Sequence, residues 1–284
     1  MRAALFPGQG VDASALLDAL EGAPLLEAAN DLAGRDLVAA VARCLDRPKP
    51  VVPTDVAQPA LLVAGLASHH EKTSRHGPFD FYAGHSVGEY AALAAAGAIS
   101  PEAALGLVCV RGRATRAAAR ASGGGMAAVK GVDLAELEAI CERAGAVIAN
   151  DNSPTQLVVS GPDAALAEVA GFVRSGGGRC LLLAVEGAFH SPAVAAAAAE
   201  LRDALDRVDV RMPPVPVVSN VTARPYRAPG EIRSLLVRQL TERVRFRESI
   251  EWIAAAGATE FVDLGPGRVT AKLADATVGA GARA

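Results

Sequence analysis

Aromatic side chains are scarce in this chain, with one Trp, three Tyr and seven Phe among 284 residues. About half the residues (51%) are nevertheless apolar, so alanine and branched aliphatics rather than rings must fill the interior. Cysteine is equally sparse. Cys44, Cys109, Cys141 and Cys180 lie far apart with no C-x-x-C spacing, which argues against a metal site or a disulfide framework and reads as four buried thiols in a reducing compartment. No apolar run reaches the ~20 residues of a membrane span, and Met1 to Pro7 is too short for a signal peptide. A net charge of −3 argues against nucleic acid as the main partner. These absences leave a soluble, cytoplasmic globular protein, long enough for one large core and a subsidiary domain.

What is present centres on Gly84-His85-Ser86-Val87-Gly88. An apolar run (Phe79, Phe81, Tyr82, Ala83) precedes it and an alanine-rich stretch from Glu89 to Ala98 follows. Read as strand, sharp turn and helix, the segment is a nucleophile elbow, in which two glycines permit the tight turn and the serine hydroxyl stands at the head of a helix. The backbone N–H of Val87 then points toward any oxyanion forming on a bound acyl group.

A serine nucleophile needs a base. Of the five histidines, only His190 follows Ser86 in the chain, the order expected of folds built on this elbow. His85 is inside the elbow, and His69, His70 and His76 fall in a polar stretch that reads as a solvated helix end and loop. Ser191-Pro192, next to His190, is a helix-start signal that fixes the backbone beside the imidazole.

The remaining pattern is α/β. Residues 2–6 read as a buried strand ending at Pro7-Gly8-Gln9-Gly10. Helices are predicted over 12–20, 24–45, 55–72 and 101–121, with the elbow strand at 79–83. After Gly123-Gly124-Gly125, strands over 126–132, 146–150, 156–160 and 179–185 alternate with helices over 133–144 and 162–174. That β-α-β-β-α-β order is a ferredoxin-like unit. It interrupts a larger domain, giving 1–124 with 187–284 as one subdomain and 125–186 as the other. A helix to about Asp206, a strand at 215–219, a helix over 229–243, a segment 246–256 and a strand at 260–264 complete the pattern, and 278–284 reads as a frayed tail.

Helical spacing over 101–120 puts Arg113, Arg116 and Arg120 on one solvated face. Arg111 instead shares the apolar stripe of Ala104, Leu107, Val108 and Thr115. A guanidinium there costs several kcal/mol (~3–5) unless it is met by a carboxylate or several carbonyls. Either it pairs with an acidic side chain of the protein, or it awaits the carboxylate of a substrate.

Gly-His-Ser-Val-Gly-Glu-Tyr, with Phe6-Pro7-Gly8-Gln9-Gly10, resembles the malonyl-CoA:acyl carrier protein transacylases of fatty acid and polyketide synthesis. The likeness continues through Gln58-Pro59-Ala60-Leu61, Arg111-Gly112, Asn150-Asp151-Asn152-Ser153-Pro154, Phe189-His190-Ser191 and Leu264-Gly265-Pro266-Gly267. It implies a hydrolase-like α/β subdomain with a parallel sheet, carrying a ferredoxin-like insertion. It further implies Ser86 as nucleophile, His190 as base, the N–H groups of Gln9 and Val87 as oxyanion hole, and Arg111 as the malonyl clamp. Gln58, Asn152 and Phe189 are implied to contact substrate, Phe189 by leaving little room for an α-methyl branch. The aligned position that orients the histidine through its carbonyl is Arg245, where many relatives carry glutamine. No cofactor or metal is implied. The partners would be malonyl-CoA and an acyl carrier protein, acted on by a monomer.

Two departures stand out: the segment after Gly10 is shortened, and arginine stands at 245. Arg224, Arg227, Arg233, Arg238, Arg243 and Arg247 form either a basic patch for an acidic carrier or merely scattered surface charge. Competing readings are a serine hydrolase that clears acyl groups from carrier proteins, and a non-catalytic docking subunit.

Overall fold

The computed structural model describes residues 1–46 and 51–281. Strand β1 (Arg2–Phe6), buried from Ala3 onward, leads to three short helices, α1 (Ala13–Leu20), α2 (Leu26–Ala33) and α3 (Leu37–Leu45). The single helix predicted over 24–45 is thus divided. Gly34 adopts a left-handed conformation (φ 63°) that closes α2, and Asp36 caps the next helix by accepting from the Ala39 N–H, since a residue without Cβ enters that region freely. Then come α4 (Thr54–His76), β2 (Phe81–Gly84), α5 (Gly88–Ala95) and α6 (Pro101–Ser122), the last capped by Ser100 with Pro101 in its first turn.

The middle of the chain holds β3 (Gly125–Lys130), α7 (Leu134–Ala144), β4 (Val147–Ser153), β5 (Gln156–Gly161), α8 (Asp163–Ser175) and β6 (Arg179–Leu182). A 3₁₀ turn (Pro192–Ala197) then runs into α9 (Ala198–Asp206), followed by β7 (Val217–Val218), α10 (Pro229–Arg238), β8 (Val244–Arg245), α11 (Phe246–Ala255), β9 (Glu260–Asp263) and α12 (Val269–Gly281). Helix α10 stops five residues before the predicted end at 243, with the fully buried Gln239 as its C-cap. The predicted tail is helical through Gly281; 282–284 lie outside the described residues.

The first sheet has the order β7-β2-β1-β9 with every pair parallel. Alternate residues of its strands feed two cores. Ala4, Phe6 and Tyr82 enter the large cluster with α4, α5 and α6, while Ala3, Leu5, Phe81 and Ala83 pack on Phe246 and Ile250 of α11. Both faces are therefore covered, as parallel sheets require.

The second sheet has the order β6-β3-β5-β4-β8. Its first four strands are antiparallel in the 4-1-3-2 arrangement of a ferredoxin-like unit. The fifth, β8, comes from beyond His190 and adds in parallel to β4, a pairing that two residues give no periodic signal for. Helices α7 and α8 cover one face over their own core of Ala127, Val129, Leu137, Val159 and Val169. The opposite face presents Met126, Ala149 and Val158, with Leu183, Val185 and Phe189 packed against them. The chain is thus a hydrolase-like α/β layer with a ferredoxin-like insert.

Two glycines make the elbow possible. A Cβ on Gly84 would stand 2.0 Å from the Gly88 carbonyl carbon, and one on Gly88 would stand 2.3 Å from the Phe6 oxygen. Gly84→Ala is expected to cost more than ~3 kcal/mol or prevent folding, because only backbone atoms stand in the way. Gly106, within α6, has nothing within 4 Å of its virtual Cβ; Gly106→Ala should be neutral or stabilise by up to ~1 kcal/mol. Urea unfolding of the two variants checks the contrast, and equal stabilities would contradict the packing described.

Candidate active site

Ser86 sits at the turn between β2 and α5 with φ 53°, a left-handed conformation costing a serine about 1–3 kcal/mol. Asn220 holds the turn in place. Its Oδ1 accepts from the Ser86 N–H at 2.7 Å, and its Nδ2 donates to the Gly84 carbonyl at 2.6 Å. His85, within the elbow, meets Asn152 Oδ1 through Nε2 at 2.8 Å and lies 5.3 Å from the ring centroid of Phe246, leaving Ser86 Oγ to face the other way.

The Ser86 Oγ lies 2.8 Å from His190 Nε2. His190 Nδ1 lies 2.7 Å from the carbonyl oxygen of Gln239. A carbonyl can only accept, so Nδ1 carries the proton and Nε2 is left free to accept from Ser86. Gln239 supplies this oxygen because α10 ends beside it and the last carbonyls of a helix lack intrahelical donors. The expected orienting residue, Arg245, is not there. Its guanidinium pairs with Glu248 at 2.5 Å and its carbonyl accepts from Ser249. The correction follows from position, since β8 carries Arg245 along the second sheet, away from the imidazole.

Arg111 is buried, and no carboxylate of the described residues lies within ion-pair distance of it. Its Nη1 donates to Gln58 Oε1 at 2.8 Å, and its Nη2 donates to Gln239 Oε1 and to Ser86 Oγ, both at 3.1 Å. The buried Nε has no acceptor among the described residues. Gln58 reaches Arg111 because α4 and α6 pack closely at Gly112, where a Cβ would already be 3.0 Å from the Asp55 Cα. Of the two readings the sequence left open, the pairing with a protein carboxylate within hydrogen-bonding reach is therefore absent.

Beneath this layer lies Glu89, buried from the first turn of α5. Tyr226 OH (2.5 Å), the Asn220 N–H (3.1 Å) and Gln239 Nε2 all donate to its carboxylate. Burial pushes its pKa up to about 7, against these donors and the charge of Arg111. Burial also pulls His190 down to about 3, and the Arg111 charge adds to the effect. Arg111 is itself lowered, chiefly by desolvation. The site thus holds a neutral imidazole and a buried cation.

Ser86, His190 and Arg111 open onto a cavity of about 140 Å³ between the two sheets, whose walls also include Gln9, Gln58, Asn152 and Phe189. Thr54 Oγ1 donates to Gln9 Oε1 at 2.6 Å, which orients that side chain across the mouth. Neither the Gln9 nor the Val87 N–H donates to a backbone acceptor among the described residues. Gln239, Asn220 and Glu89 escaped the sequence reading because their spacing carries no periodic or catalytic signature; only burial of three polar side chains in one network marks them.

Other expectations need correction. Arg116 is not solvated but bonds Asp55 and Glu186 at 2.8 and 3.0 Å. His69 is half-buried among Phe6, Phe79 and Tyr82 and meets Tyr82 OH at 3.1 Å. Cys180 is only partly buried. Half of the arginine patch is neutralised internally: Arg238 pairs with Glu242, Arg243 with Glu138, and Arg247 with Asp151 and Glu251. Among the described residues no group of three or more His, Cys, Asp and Glu could hold a metal, and no helix is long and apolar enough to cross a membrane.

The two-layered fold with a serine–histidine pair at a strand–helix elbow defines an α/β acyl-transfer enzyme. The acyl transferase domain family matches residues 6–280. The malonyl CoA-acyl carrier protein transacylase of Haemophilus influenzae is 34% identical over 98% of this chain and 92% of its own length. The polyketide biosynthesis protein ThaF of Burkholderia thailandensis is 38% identical over 96% of this chain, which spans only 24% of that longer protein. The crystal structure of an acyl-carrier-protein S-malonyltransferase from Burkholderia pseudomallei superposes with a TM-score of 0.89 at 35% identity, covering 98% and 93% of the two chains. The chain belongs to the malonyl-CoA:acyl carrier protein transacylase family.

The two perturbed groups give opposite pH slopes. His190 binds a proton near pH 6.5 when unfolded but only near 3 when folded, so its contribution to stability is complete above 6.5 and lost as pH falls toward 3. Glu89 holds its proton up to about 7 when folded but releases it near 4.5 when unfolded, so its contribution is complete below 4.5 and lost as pH rises to about 7. Between 4.5 and 6.5 the two slopes oppose each other, so Glu89→Gln is expected to leave the rise of stability with pH that His190 contributes, read by urea unfolding across that range. An unchanged slope would place the titration elsewhere.

Proposed function

We propose that this protein transfers a malonyl group from CoA to the phosphopantetheine thiol of an acyl carrier protein, with Ser86 as nucleophile and His190 as base. The single observation that carries the reading is the buried Arg111 guanidinium, met among the described residues by neutral oxygens and hydrogen-bonded to Ser86 Oγ itself. A cation so placed suits an acyl group that ends in a carboxylate.

His190 Nε2 takes the proton of Ser86 as Oγ attacks the thioester carbonyl. The Gln9 and Val87 N–H groups hold the oxyanion. The tetrahedral intermediate collapses, the C–S bond breaks, and the imidazolium returns its proton to the departing CoA thiolate. In the second half, His190 deprotonates the carrier thiol, which attacks the malonyl-serine ester; the C–O bond breaks and Ser86 regains its proton. His190 can act in both directions because its resting form is neutral.

The Arg111 Nε, buried without an acceptor, would join an Nη in two parallel bonds to the malonyl carboxylate, aided by Gln58 and Asn152 on the walls. Phe189 limits room at the α-carbon, and one methylene is worth only about 1–3 kcal/mol in such a pocket. One chain supplies every group, so the reading is of a monomer, and CoA thioesters as substrates suit a cytoplasmic setting. A hydrolase of uncharged acyl chains has no use for Arg111, so no observation favours that alternative.

Malonyl-CoA is expected to label Ser86, seen by intact mass, and Ser86→Ala to abolish labelling. Arg111→Ala should lower malonyl transfer by at least ~100-fold, the worth of one lost charge-assisted pair, while acetyl transfer falls far less. Equal losses for both acyl groups would remove the clamp from the account.

A further inference from the structure

The Thr54 hydroxyl takes no part in the reaction above, yet it stands in the middle of a hydrogen-bond chain whose direction the chemistry fixes. Thr54 is fully buried in the first turn of α4 and is not part of the cavity wall. Its backbone is held on two sides. The Thr54 N–H donates to Glu186 Oε2 at 2.8 Å, and Glu186 Oε1 accepts from Arg116, which also pairs with Asp55. On the other side α6 comes so close that a Cβ on Gly112 would stand 3.2 Å from the Thr54 carbonyl oxygen. The hydroxyl is thereby kept in one place.

A guanidinium can only donate, so the end of Gln58 that meets Arg111 Nη1 at 2.8 Å must be its oxygen. The amide nitrogen then faces away, and its two hydrogens go to Thr54 Oγ1 at 3.0 Å and to Thr115 Oγ1 at 3.4 Å. Both hydroxyls are committed to accepting. Thr115 gives its single proton to the Arg111 carbonyl at 2.7 Å, and Thr54 gives its own to Gln9 Oε1 at 2.6 Å. Of the two contacts on the Gln58 nitrogen, the one with Thr54 is shorter and so stronger. Gln58 is buried, and without the Thr54 hydroxyl its nitrogen would keep only the long contact to Thr115.

We propose that Thr54 is a positioning residue for acyl selectivity that acts through Gln58: its hydroxyl holds the Gln58 oxygen on Arg111 and so fixes the plane of the guanidinium that faces the acyl group. The proposal rests on the malonyl-transfer reading. Two parallel bonds to a carboxylate require the guanidinium to keep one plane. Ser86 Oγ and Gln239 Oε1 both accept from Nη2, so among the described residues Gln58 is what secures Nη1. A Gln58 amide released from Thr54 is free to turn its nitrogen toward the cation, and two donors facing each other repel. The guanidinium then loses one of its two anchors. An acyl group without a carboxylate does not depend on that plane. The effect of Thr54 therefore falls on the choice between acyl groups and not on the serine–histidine pair.

The test measures acylation of Ser86 by malonyl-CoA and by acetyl-CoA in Thr54→Val, which keeps the shape of the side chain and removes the hydroxyl. The ratio of the two kcat/KM values, malonyl over acetyl, is expected to fall about tenfold, the effect of one lost buried hydrogen bond. Thr54→Ser restores the hydroxyl and is expected to keep most of the wild-type ratio. In a Gln58→Ala background, Thr54→Val is expected to leave the ratio where Gln58→Ala alone puts it, because the intermediary is gone. A threonine that serves only the fold would give losses that multiply in the double variant or that fall equally on both acyl groups. Either result overturns the proposal, as does an unchanged ratio in Thr54→Val. If urea unfolding shows that Thr54→Val does not fold, Thr54→Ala takes its place in the same cycle; if neither folds, the hydroxyl serves the fold and the proposal is overturned. Failure of the wild type to form a malonyl-Ser86 ester would instead overturn the transfer reading, so the two failures are distinguishable.

Discussion

A guanidinium buried beside a serine hydroxyl, with no carboxylate of the described residues in hydrogen-bonding contact, is the constraint around which this protein is organised. Arg111 must be charged at any accessible pH, and desolvating it is costly. The fold meets that cost with oriented amide oxygens rather than with a counter-ion. Gln58 comes from α4 and Gln239 from the end of α10, and Ser86 Oγ completes the set. A direct salt bridge would have been a simpler solution, but it would have occupied the charge.

The same cation governs its neighbours. With burial, it holds His190 in the neutral form, so the imidazole is free to accept the serine proton. It also draws on Glu89, the one buried carboxylate in the network, which lies behind Gln239 rather than against the guanidinium. Gln239 thereby has three tasks: its carbonyl fixes the His190 tautomer, its Oε1 accepts from Arg111, and its Nε2 donates to Glu89 and to the Ser86 carbonyl. One side chain at a helix terminus links base, cation and elbow because a terminus is where both backbone and side chain are available.

The two sheets contribute unequally. The parallel sheet supplies the elbow and the strain stored at Ser86, held by Asn220 from the loop after β7. The antiparallel sheet supplies an apolar wall to the cleft, Met126 and Val158 with Leu183, Val185 and Phe189. Strand β8 ties the two halves by pairing with β4 just beyond the turn that holds Gln239.

Much of this was legible in the residues alone. Glycine spacing around Ser86 announces the elbow, because only glycines tolerate contacts as short as those at Gly84 and Gly88. The order of strands and helices between 125 and 182 is readable because alternation and helical periodicity reflect which face each side chain buries. The placement of Arg111 on an apolar stripe flags a buried cation. What the chain order could not decide was who meets whom. Gln239 rather than Arg245 faces His190, Arg116 is clasped between Asp55 and Glu186, and most of the arginines near the C-terminus are paired. Local pattern records burial and backbone conformation, which are properties of a residue and its near neighbours. Hydrogen-bond partners 50 or 100 positions apart depend on how helices end and pack in three dimensions, and only the tertiary structure contains that information.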